Sequence, residues 1–159
     1  IARVPLPGYA GALWLCGKHA VGPDPLAALA RVGATTIVCL NERDELDDRY
    51  PDYVEWLSVN RDGDAVWFPI HDLHAPPLAA MRPLLDDLRQ RLRDGERLLV
   101  HCGAGIGRAG TVATCLLMMM GVTRDDALRT VADHRPTAGP EGGAQRDLID
   151  ELARALEEA

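Results

Sequence analysis

Eleven consecutive residues constrain this chain more than any others: His101-Cys102-Gly103-Ala104-Gly105-Ile106-Gly107-Arg108-Ala109-Gly110-Thr111. They follow Arg97–His101, a short apolar run that reads as a strand, and lead into Val112–Met120, a helix with almost no polar face that belongs at the centre of a core. Gly103, Gly105 and Gly107 let the backbone curl with its N–H groups inward. Together with the free amides at the start of the following helix, those donors form an anion cradle. Arg108 closes the cradle with a planar fork suited to two phosphate oxygens. Cys102 stands at its mouth, where the field that attracts phosphate also favours thiolate over thiol. A thiolate so placed attacks phosphorus in line, while the amides and Arg108 stabilise charge on the equatorial oxygens. His101 is better suited to orienting the loop through its ring nitrogens than to moving protons.

Other loops share part of this pattern. Gly105-Ile106-Gly107-Arg108-Ala109-Gly110 matches the G-x-G-x-x-G of dinucleotide folds, but the acidic residues about 20 positions on, Asp125 and Asp126, open a helix instead of ending a strand. A Walker-type loop needs a lysine before Thr111, and Gly110 stands there. Neither alternative gives Cys102 or Arg108 a task. The formal charge of −7 disfavours nucleic acid and anionic membrane as partners. The longest apolar run, Val112 to Gly121, is far shorter than a membrane span. Cys16, Cys39, Cys102 and Cys115 have neither metal-site spacing nor the density of a disulfide framework, so no metal or cofactor is expected, and a reducing, cytoplasmic setting is the default. The first residue is isoleucine, which leaves the true start open; no targeting segment is visible.

Along the chain, residues 1–11 read as an extended lead-in and Ala12–Cys16 as a short strand. A helix opens at Asp24 or Pro25 and ends near Gly33, followed by a buried strand over Thr35–Leu40. The charged run Glu42–Tyr53 reads as a solvated loop with a short helix. A strand at Val66–Ile70 gives way to His71-Asp72-Leu73-His74-Ala75-Pro76-Pro77, which breaks regular structure. Amphipathic helices follow over Leu78–Arg93, from the Thr123 cap to Arg135, and from Gln145 onward, with Ala138–Gly143 as a loop. Strands alternate with helices early and helices dominate late. That order predicts an α/β fold, a small mixed central sheet flanked by helices on both faces.

His101, Cys102, Gly105 and Arg108 match H-C-x-x-G-x-x-R, and the chain resembles the protein tyrosine phosphatase superfamily, in particular the small atypical members of its dual-specificity branch. The resemblance runs from about Ala12 to Leu156, implying one phosphatase domain over 1–159. It implies a metal-independent cysteine phosphatase with Cys102 as nucleophile, Gly103, Ala104, Gly105, Ile106, Gly107 and Arg108 holding the phosphate, and Asp72 as the general acid that protonates the leaving oxygen. Gln145 resembles the glutamine that in some branches positions the hydrolytic water, and Arg135-Pro136 resembles a feature that steadies the phosphate loop. The expected substrate is a phosphorylated protein or small phosphomonoester, phosphotyrosine and also phosphoserine or phosphothreonine, with phosphate, sulfate or vanadate as site ligands. The loop interior lacks the lysines that a polyphosphorylated inositol headgroup favours. Ala109 departs from the family, which has serine or threonine there to stabilise the departing thiolate. That departure bears on turnover and keeps a phosphoprotein-binding pseudophosphatase in view. Cysteine-dependent sulfurtransferases and arsenate reductases also use such loops.

Overall fold

In a sheet covered on both faces, strict alternation decides which layer each side chain enters. The computed structural model describes residues 1–159 and contains one mixed sheet. Its strands are β1 (Ala2–Val4), β2 (Ala12–Gly17), β3 (Thr36–Cys39), β4 (Ala65–Trp67) and β5 (Arg97–Cys102). They lie in the order β1-β2-β5-β3-β4. β1 pairs antiparallel at one edge and the other four run parallel. Helices α1 (Lys18–Val21), α2 (Pro25–Val32) and α3 (Pro51–Val59) precede β4; α4 (Leu78–Arg93), α5 (Gly107–Met119), α6 (Arg124–His134) and α7 (Gly143–Glu158) complete the chain. The expected α/β architecture is therefore present.

The alternation works as the sequence requires. Leu13, Leu15, Leu98 and Val100 enter a larger core with Met81, Leu85 and Leu88 of α4 and the apolar side of α7. Trp14, Cys16, Cys39 and Leu99 enter a smaller one with Val21, Leu29, Tyr53 and Leu57. Asp24 caps α2 by accepting the Ala27 N–H at 3.0 Å, and Thr123 caps α6.

Four boundaries differ from expectation, each for a physical reason. The lead-in hides β1, because a three-residue strand is too short to show a period. β4 ends at Trp67, short of Ile70. Phe68 and Ile70 still donate to Cys39 and Leu40 at 2.9 Å, but Pro69 between them has no N–H to continue a ladder. The run read as solvated carries α3, started by Pro51 and burying Tyr53, Val54 and Leu57. α5 itself begins at Gly107, where the glycines conceal it, and all of its residues are buried.

Gly110 lies on α5 where the 138–139 segment crosses it. An added Cβ would stand 3.0 Å from Gly139 Cα and 3.1 Å from the Ala138 carbonyl carbon. Alanine is the better helix former by about 1 kcal/mol, whereas overpacking against backbone costs about 1–3 kcal/mol. Gly110→Ala is expected to lower the urea midpoint despite its propensity; an unchanged or raised midpoint would show that the crossing segment moves aside freely.

Candidate active site

Ligand sites of parallel sheets lie beyond the carboxyl ends of the strands, and four such ends meet here. β5, at the middle of the sheet, ends on Cys102, whose register partner is Gly17 of β2. Gly17 ends β2 and Lys18 follows it, Asn41 to Glu45 follow β3, and Ile70 to His74 follow β4.

The loop after Cys102 is fixed by its carbonyls. Lys18 N–H donates to Gly103 O at 3.0 Å. Arg135 donates through Nε to Gly105 O at 2.7 Å and through Nη2 to Ala104 O at 2.9 Å. With these oxygens turned outward, the amides of Gly103, Ala104, Gly105 and Ile106 have no partner in the protein, and those of Gly107 and Arg108 are first-turn donors of α5. Gly105 is required twice over. Its φ is +74°, and a Cβ there would collide with the Cys16 carbonyl.

Arg108 is the centre of the electrostatics. Its side chain is 2 % exposed. Nη1 donates to Glu45 Oε2 and to Ile70 O, both at 2.8 Å, and Nη2 donates to Glu45 Oε1 at 2.7 Å. Asp72 Oδ1 lies 3.4 Å from Nη2. Nε is buried without a partner. The fork thus grips Glu45, and the edge formed by Nε and the second Nη2 proton is left for an anion. Burial works against the charge of Arg108, but the Glu45 carboxylate outweighs it and holds the pKa above its ordinary value. The reciprocal effect holds Glu45 below the usual carboxylate range despite its desolvation. Glu45 is the functional residue that the sequence reading missed: the segment taken as a solvated face sends this carboxylate inward. A 3-10 turn over Arg43–Glu45 aims it, with Glu42 N–H donating to Glu45 Oε2 at 2.7 Å and Asn41 Nδ2 to Oε1 at 2.9 Å. The available signal was the E-x-x-E capping-box spacing directly after a strand.

Asp72 stands above this pair with its side chain 66 % exposed. Its Oδ1 accepts the Leu73 N–H at 3.0 Å. Its segment is held on both sides: His71 Nδ1 lies 2.6 Å from Glu42 Oε1, and Gln145 Nε2 donates to His74 O at 3.3 Å. Leu73 adopts φ +67°, rare for a branched side chain, with its carbonyl against Gly142.

His101 lies on the opposite face from Cys102, fully buried, with Nε2 2.6 Å from the Tyr53 hydroxyl. Burial lowers its pKa to about 4, so it is neutral at pH 7. Cys16, Cys39 and Cys115 are buried thiols whose pKa values desolvation pushes up to about 12. Gln145 is fully buried, and its amide oxygen and one Nε2 proton are engaged within the protein. Oε1 accepts Glu141 N–H at 2.7 Å and the Thr111 hydroxyl at 3.5 Å. Thr111 therefore points toward α7, and Ala109 brings no hydroxyl to the cradle. Glu141, unassigned by the sequence reading, lays its carboxylate over Gly107, where an added Cβ would be 3.1 Å from Glu141 Cδ. The assembly presents a thiol beneath a ring of free amides and one guanidinium edge, the donor set for a tetrahedral oxyanion.

Comparison with known proteins agrees with this geometry. A family model described as the Swiss Army Knife protein, DSP-PTPase phosphatase domain, matches residues 13–150. The tyrosine-protein phosphatase vhp-1 of Caenorhabditis elegans is 29% identical over 96 residues, 59% of this chain and 15% of that protein. Cyclin-dependent kinase inhibitor 3 of Sus scrofa is 33% identical over 90 residues, 55% of this chain and 42% of that protein. The matched stretches thus cover less than half of these curated relatives. Among solved structures, Tk-PTP in its active form superposes with a TM-score of 0.72 at 27% identity, covering 96% of each chain. Human DUSP28 shares the fold with a TM-score of 0.74 at 23% identity, covering 99% of each chain. With Cys102 and Arg108 framed by the strand ends described above, the chain belongs to the DSP-PTPase phosphatase domain family.

Proposed function

We propose that this chain is one metal-independent phosphatase domain that hydrolyses phosphotyrosine, and also phosphoserine or phosphothreonine, through a phosphocysteine intermediate on Cys102. The observation that carries the reading is the partnerless Nε of the buried Arg108, together with the unpartnered amides of the loop after Cys102. A buried donor without an acceptor is destabilising by about 1–3 kcal/mol, and a phosphoryl oxygen is the acceptor that fits. Bound phosphate would take the Nε and Nη2 edge of Arg108 and the amides from Gly103 to Arg108. Cys102 then attacks phosphorus in line with the ester oxygen. Asp72 gives that oxygen its proton, because Arg108 holds its own too tightly. His101 acts through shape: neutral and tied to Tyr53, it holds β5 in place. In the second step water attacks phosphorus and Cys102 leaves as thiolate. Ala109 offers it no hydroxyl, so this step limits turnover.

The same cradle could serve a sulfurtransferase or an arsenate reductase, and a binding module needs no Asp72. Asp72 at 3.4 Å from Arg108 favours ester hydrolysis, since the other two reactions have no leaving alkoxide to protonate. Turnover of nitrophenyl phosphate, without thiocyanate formation from thiosulfate and without arsenate reduction, is the expected pattern.

Cys102→Ser is expected to abolish hydrolysis while still binding phosphate, and vanadate is expected to inhibit the parent competitively, with chelators having no effect. Near-parental turnover by the serine variant, measured on nitrophenyl phosphate, would remove Cys102 from the reaction. Asp72→Asn is expected to slow alkyl phosphates by about 10²–10⁴-fold and good leaving groups far less; a loss independent of leaving-group pKa would make Asp72 a loop-positioning residue. Ala109→Ser is expected to raise kcat and to reduce the phosphocysteine that accumulates in a rapid-quench burst. A parent without a burst, and no gain from the serine, would place the slow step elsewhere.

A further inference from the structure

We infer that Asn41 is a positioning residue of the anion site: it keeps the Glu45 carboxylate on the tips of Arg108 and so leaves the Nε edge to the phosphoryl group. The inference rests on the phosphatase reading above and concerns how its cradle stays open. Two buried side-chain polar atoms have no partner in the protein, Arg108 Nε and Asn41 Oδ1. Both belong to residues that donate to one oxygen, Glu45 Oε1: Arg108 through Nη2 at 2.7 Å and Asn41 through Nδ2 at 2.9 Å.

The ion pair alone does not keep the Nε edge free. A carboxylate fits a guanidinium across Nη1 and Nη2, and it also fits across Nε and Nη2. Sliding to the second arrangement would give the orphaned Nε an acceptor and close the site to phosphate. Nη1 would still have Ile70 O at 2.8 Å. What opposes the slide is one further donor on each Glu45 oxygen, Glu42 N–H on Oε2 at 2.7 Å and Asn41 Nδ2 on Oε1. The Glu42 donor is backbone of the same 3-10 turn and moves with Glu45. Asn41 is anchored elsewhere: its carbonyl accepts Trp67 Nε1 at 2.9 Å, at the end of β4, and its side chain has no exposed surface.

The orphaned Oδ1 supports a role beyond packing. Burying an acceptor without a donor is destabilising, and an apolar side chain at this position would avoid it. The amide is retained where its other end holds Glu45. The ionisable groups around this contact are Arg108, with Asp72 beyond it, Lys18 on the Glu45 carbonyl, His71 on Glu42, and the Cys39 thiol on the Asn41 carbonyl.

Kinetics on nitrophenyl phosphate, competition by vanadate and the urea midpoint of each variant test this. Asn41→Ala removes the anchored donor. KM and the vanadate inhibition constant are expected to rise together by about 10-fold, the scale of one hydrogen bond to a charged group. Because binding common to substrate and transition state is what is lost, kcat is expected to stay within about threefold of the parent. Asn41→Asp is expected to add a pH dependence that the parent lacks. A carboxyl group there, buried and beside Glu45, has its pKa raised. Below that pKa its O–H donates to Oε1, and the ratio of variant to parent kcat/KM stays near one. As pH rises toward about 8 the proton is lost, the two carboxylates repel, and the ratio falls by at least about 10-fold. Taking the ratio at each pH cancels the ionisation of the substrate.

A kcat/KM for Asn41→Ala within about twofold of the parent, or a loss confined to kcat, would overturn the assignment and leave the phosphatase reading intact. So would an Asn41→Asp ratio that does not vary with pH, and failure of both variants to fold would make Asn41 a structural residue. A parent without Cys102-dependent turnover would overturn the phosphatase reading, and calorimetric binding of vanadate to Asn41→Ala would still decide whether Asn41 guards the edge.

Discussion

A guanidinium cannot be buried without an anion beside it, and the architecture of this molecule follows from how that condition is met. Arg108 sits at the start of a helix with no exposed residue, where an unpaired charge would be prohibitive. Glu45 meets the charge with both oxygens, from a turn placed beside Arg108 because β3 lies next to β5 in the sheet. The strand order therefore dictates the electrostatics. Lys18 N–H at the end of β2 and Arg135 at the end of α6 hold the loop carbonyls, and β4 delivers the segment that carries Asp72. Sites remote in sequence converge because parallel strands share one direction.

The pairing also explains which part of the arginine remains for chemistry. A fork spent on Glu45 leaves the Nε edge, so under the proposed function phosphate would meet the side of the guanidinium instead of its tips. The thiols follow a similar logic of place. Cys16 and Cys39 flank His101 across adjacent strands and point into the smaller core, whereas Cys102, one residue on, ends the strand at the cradle. Parity along β5 separates the proposed nucleophile from the buried, inert sulfurs.

Much of this was legible in the sequence where one signal dominated. The α4 bounds follow from its apolar spacing and the prolines before it, and the cradle follows from glycine, cysteine and arginine at fixed offsets. What stayed hidden depends on contacts between distant segments. The capping-box spacing marks Glu45 as a turn residue, but nothing local shows that its carboxylate turns inward, since its partner lies 63 residues away. β1 is too short to show alternation, and α3 is masked by the charges around it. Gln145 was legible as a residue near the site but not as a buried one, because an amide in a helix has no sequence mark of whether its partners are water or protein. Its neighbour Glu141 carried no signal at all until Gly107 was seen to lie beneath it.

The outward carbonyl anchors have one more consequence. The backbone of the cradle loses its conformational freedom when the protein folds, with Gly103, Ala104 and Gly105 each tied down by a segment far away in the chain. Little ordering is then left to accompany ligand capture, and affinity for a small tetrahedral anion reflects contact energy with little entropic opposition. The loop is in this sense a mould set during folding, and its shape is maintained from β2 and α6, not by the molecule it receives.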